Sequence, residues 1–138
     1  MDSNIRLLIF LILSLTNCSG NKIKKHINSF DINVEDSTVV NISYIINHSF
    51  DWYVITGGFV FCSELSEQLG FEYKGRTPND DQWMVVFVKD DRIVYKELFS
   101  THFIDYFPNI NVWEKVDSPM VLYKKIGPGK YNWYKKEE

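Results

Sequence analysis

Trp83-Met84-Val85-Val86-Phe87-Val88 is followed by Lys89-Asp90-Asp91-Arg92 and then by Ile93-Val94-Tyr95-Lys96-Glu97-Leu98-Phe99. The first run is apolar at every position, which predicts a strand covered on both faces. The last run alternates, as a strand with one buried face does. Aspartate tolerates the positive φ of a tight turn, so residues 83–99 read as a hairpin. Outward from this hairpin the signals stay mostly β. Val40, Ile42, Tyr44 and Ile46 recur at every second position, with Asn41 and Ser43 on the opposite face, and predict a strand. Trp52 to Cys62 is a second strand-like run, interrupted at Gly57-Gly58, where a bulge or a close backbone approach is expected. Met120 to Ile126 supplies a further strand, ended by Gly127-Pro128-Gly129. One helix is expected from Ser63, whose hydroxyl can accept from the free amides of the first turn. Leu65 and Leu69 share its face, and Gly70 closes it in the left-handed region. A second short helix is placed at Thr101 to Tyr106. The expected fold class is α+β: a small antiparallel sheet of four to six strands with one short helix packed on a face.

The whole chain has 138 residues, enough for one core and too few for two. With 45% hydrophobic and 16% aromatic residues and a net charge of −3, it is neither a disordered chain nor a general nucleic-acid binder, which needs a basic surface. Two cysteines cannot build a disulfide framework or a four-ligand zinc site. His26, His48 and His102 lack metal-ligand spacing, and neither Asp80-Asp81 nor Asp90-Asp91 has the alternating oxygens of a calcium loop. Gly127-Pro128-Gly129-Lys130 is a turn and not a phosphate loop. No metal and no cofactor is expected.

Residues 1–17 read as a signal peptide. Arg6 precedes the apolar run Leu7 to Leu15. Nine helical residues rise about 14 Å, against the ~30 Å hydrocarbon core that a permanent span must cross. Leu15-Thr16-Asn17-Cys18 then resembles the lipobox of bacterial lipoprotein precursors, with Asn17 where glycine or alanine is usual. That resemblance covers about twenty residues. It implies a diacylglycerol on the Cys18 thiol, cleavage before it, and Ser19 as the second mature residue, which in a two-membrane bacterium favours the outer membrane. Residues 18–37 are then a lipidated N-terminus and tether, with Phe30 to Val34 able to begin a strand, and residues 38–138 a single domain. The lysines 22, 24 and 25 beside the anchor could meet anionic headgroups. Ordinary secretion is the rival, and it would permit a Cys18–Cys62 disulfide. Asn41-Ile-Ser43 and Asn47-His-Ser49 are glycosylation sequons, which would matter in a secreted viral or eukaryotic glycoprotein.

Cys62 precedes the expected helix, where free amides favour a thiolate. The segment Gly57 to Leu65 vaguely resembles the cysteine segment of papain-like cell-wall endopeptidases, with His102 the one candidate partner. Phe61 and Glu64 depart from that family's pattern, and Thr-His102-Phe is a poor match to its histidine strand. A buried, inert cysteine is the commoner outcome. The surplus aromatics favour recognition instead. Tyr73 and Arg76 in the loop of residues 73–81, Trp113, and Tyr131, Trp133 and Tyr134 in the C-terminal segment are the candidate partner-binding residues. Their rival role is to fill cross-strand pairs. The expectation is a non-enzymatic, exported binding protein of the cell envelope, tied to a membrane through its lipid and contacting another protein. An immunity or envelope-interaction role follows from the lipoprotein resemblance alone, and a cysteine hydrolase of the cell wall using Cys62 is the alternative.

Overall fold

A computed structural model describes residues 20–137. The signal segment and Cys18 therefore lie outside the described residues. Seven strands form two sheets: β1 (Ser37–Asn41), β2 (Trp52–Gly57), β3 (Gln82–Lys89), β4 (Arg92–Ser100), β5 (Ile104–Tyr106), β6 (Met120–Gly127) and β7 (Lys130–Lys135). One sheet runs β1-β6-β7-β5 and the other β2-β3-β4. All pairings are antiparallel except β5 with β7. Helices α1 (Lys22–Asn28), α2 (Ile42–Ile46) and α3 (Cys62–Leu69) complete an α+β fold.

The hairpin of residues 83–99 forms as expected. Asp90 and Asp91 turn the chain at φ 51° and 55°, and the Asp51 carboxylate accepts from the Asp90 amide at 2.9 Å. β3 is apolar from Trp83 to Val88 because two cores flank it. Val85 and Phe87 face an inner core between the sheets, with Tyr53, Tyr95, Phe99, Tyr123, Tyr131 and Trp133. Met84, Val86 and Val88 face an outer core with Val54, Val60, Tyr73 and the Leu65 and Leu69 of α3. The layers are therefore sheet, sheet, helix.

Four local expectations give way. The isoleucines 42 and 46 lie four apart, so they share a face in a helix as well as in a strand. The helix wins. The Asn41 side chain accepts from the Ser43 amide at 3.0 Å, and Asn47 closes α2 in the left-handed region. Both isoleucines are buried and Tyr44 stands in solvent. Helix α3 begins at Cys62, so the N-cap position falls to Phe61, two residues before the expected Ser63 and without a side-chain bond, and Ser63 sits inside the first turn. Gly70 closes the other end at φ 82° as expected. Thr101 to Phe103 is a turn and Ile104 to Tyr106 a strand, not a helix. The tether is the largest correction. Residues 22–28 form α1, with Ile23 and Ile27 fully buried in the inner core, and Phe30 to Asn33 is irregular chain that starts no strand. The packed body thus reaches back to Gly20, whose amide donates to the Lys96 carbonyl on β4 at 3.3 Å.

Candidate functional site

The β2–α3 loop is built by two glycines with different tasks. Gly57 lies opposite Trp83 in the ladder, and a Cβ there would stand 2.5 Å from the indole ring. A close backbone approach, one of the two expected outcomes at this pair, is what occurs. Gly58 takes φ 71° and turns the chain off the sheet. The alternation then continues without a strand to carry it. Val60 enters the outer core while Phe59 and Phe61 remain 74% and 72% exposed. Cys62 follows, exposed, with a free thiol. Two largely solvated phenylalanines, two positions apart on a turn held by a packed valine, form an apolar projection. The sequence carried the signal in Gly57-Gly58-Phe59-Val60-Phe61: a glycine stop followed by continued alternation.

Three candidate contact residues expected at the surface are buried. Tyr131 and Trp133 alternate inward from β7, an interior strand of its sheet, and Trp133 is 0% exposed amid the rings of Tyr53, Phe99, Phe107 and Tyr123. Tyr73 is buried in the outer core, where its hydroxyl donates to the Arg76 carbonyl. These three rings are spent on the core and not on a contact surface. Trp113 is half-buried against the outer core, and its amide donates to the Ile55 carbonyl at 3.1 Å. Tyr134 is half-buried beside Leu122 and Lys124, and Arg76 is exposed. The six residues do not converge on one site.

A second feature surrounds the first described residues. A cleft of about 640 Å³ is lined by Gly20, Asn21, Arg76, Met84, Lys96, Glu97 and Leu98. At its floor Glu97, 2% exposed, closes the start of α1. Its Oε1 accepts from the Ile23 amide at 3.0 Å and its Oε2 from the Lys24 amide at 2.8 Å. The Tyr95 hydroxyl accepts from the Lys22 amide at 2.9 Å and donates to Glu97. Asn21 gives no side-chain cap, so two β4 side chains do a cap's work across the fold. Burial pushes the Glu97 carboxyl above its ordinary value, against the hydrogen bonds from Tyr95, Ile23 and Lys24. Burial, reinforced by the bond to Glu97 and its charge, also raises the Tyr95 hydroxyl above its ordinary value. Lys96 reaches back over the Tyr73 ring and donates to its hydroxyl at 2.9 Å. The Arg76 guanidinium has no hydrogen bond or ion pair among the described residues.

The Cys62 thiol donates to the Gly75 carbonyl at 3.5 Å, and no histidine bonds it among the described residues. His102 is exposed, its amide donating to the Ser100 hydroxyl at 3.1 Å. Among the described residues no three His, Cys, Asp or Glu side chains gather as metal ligands would, and no helix is long and apolar enough to cross a membrane. Compared with protein-family models, curated proteins and solved structures, the chain matches none.

Proposed function

We propose that the chain is an exported, lipid-anchored small binding protein of the cell envelope, acting by contact with another protein and not by bond making. Residues 1–18 support export and acylation through their signal and lipobox pattern. The exposure of Phe59 and Phe61 carries the contact reading. Apolar rings held out of a packed body cost solvation unless a partner covers them, and aromatic side chains enrich the centres of interfaces. An immunity or envelope-interaction role, in the outer membrane if the source has two, is the biological setting that fits.

Two measurements test this reading. Palmitate incorporated in cells is lost in Cys18→Ala. A photoreactive phenylalanine analogue at position 61 gives one discrete adduct in cells, and Phe59→Ser weakens it without lowering stability by more than about 0.5 kcal/mol. Retained label in the first, or no adduct in the second, overturns the corresponding half. The exposed thiol at the start of α3 keeps one rival alive, a cysteine hydrolase of the cell wall. Alkylation of Cys62 faster than a model peptide, with cell-wall cleavage lost in Cys62→Ser, would favour it.

A further inference from the structure

We infer that the domain lies directly on the bilayer in one orientation, with the Gly20 cleft and the exposed side of α1 seated against anionic lipid headgroups. This rests on the lipid-anchor reading of Cys18, and it adds which face meets the membrane. The argument is one of reach. Only Ser19 separates Cys18 from Gly20, so fully extended chain places Cys18 within about 7 Å of Gly20. Gly20 is already part of the body through its bond to Lys96, and α1 is capped two residues later by Glu97. No slack remains. The headgroup layer of one leaflet is about 5–8 Å deep, so an acylated Cys18 brings Gly20 into it or against it.

The chemistry around that point suits an anionic surface. Arg76 and Lys96 line the cleft together with the apolar Met84 and Leu98. Glu97 is the single carboxylate in the lining, and both its oxygens are occupied by the α1 amides and Tyr95. Beside the cleft, Lys24 and Lys25 are exposed on α1. Lys24 lies over the Phe103 ring, 5.4 Å from its centroid, and Lys25 has no ion-pair partner among the described residues. A net acidic protein thus gathers cations that form no salt bridge among the described residues where its chain would enter the membrane.

The test uses the full acylated protein in phosphatidylethanolamine vesicles with and without phosphatidylglycerol, and amine acylation to footprint each lysine. Lys24, Lys25 and Lys96 are expected to react several-fold more slowly than in soluble Cys18→Ala, while Lys124, Lys130 and Lys136 keep their rates. Lys25→Glu with Arg76→Glu lowers protection at Lys24 about fivefold or more in phosphatidylglycerol vesicles, and a flexible Gly/Ser insertion after Ser19 abolishes it. Mass spectrometry of the N-terminal peptide separates the two failures. A missing diacylglycerol on Cys18 overturns the anchor and this inference together. An acylated protein with uniform lysine rates, or one whose protection survives the insertion, overturns the orientation alone.

Discussion

At the scale of single residues, the fold rests on a few side chains whose surroundings leave no substitute. Trp133 is enclosed by four rings at centroid distances of 5.2 to 6.0 Å. Trp133→Ala should cost about 3–5 kcal/mol in urea unfolding, through lost transfer energy and the cavity left behind. Gly57→Ala would drive a methyl group into the Trp83 indole, and about 1–3 kcal/mol is expected from the forced repacking. Glu97→Ala strands two helix amides and the Tyr95 hydroxyl, with a loss of about 2–4 kcal/mol. Glu97 also sets a pH dependence. Its folded-state pKa is raised above the ordinary 4.5, so the folded chain holds the proton more tightly than the unfolded one. Its contribution is complete below pH 4.5 and is lost as pH rises through the folded value. The stability difference between wild type and Glu97→Gln should therefore shrink as pH is raised from about 4 toward neutrality. A difference that grows over that range would contradict the assignment.

At the scale of elements, legibility depended on whether two periods could be told apart. The 83–99 hairpin was readable because a run of six residues apolar on both faces and an Asp-Asp turn admit one arrangement. Residues 40–46 satisfied period two and spacing four together, and the choice fell to an Asn41 side-chain bond that alternation does not report. Asn41→Ala should therefore cost about 1 kcal/mol in chemical unfolding. Helix α1 was legible in principle, since Ile23 and Ile27 stand at helical spacing, but seven residues rich in lysine make a marginal helix until β4 caps them. β7 escaped because its tyrosines and tryptophan were counted as surface, although Tyr131 and Trp133 alternate as an inward face does. The candidate site was less legible than the fold. Burial inverted three of the six contact residues, and Phe59 and Phe61 became conspicuous only where the strand ended at Gly57.

At the scale of the whole molecule, the three-stranded sheet is sealed at both edges by chain from elsewhere. Along β2, Tyr53 exchanges backbone bonds with Val116, and Trp113 donates to Ile55. Along β4, the guard is the Gly20 amide and the helix that follows it. A protease cut after Asn28 would strip that guard away, baring unpaired carbonyls on β4 beside the pocket that Ile23 and Ile27 vacate. Exposed strand margins of that kind recruit further copies. Light scattering of the truncated chain should then rise with concentration, so a segment of seven helical residues would be what keeps copies of this protein from self-assembling.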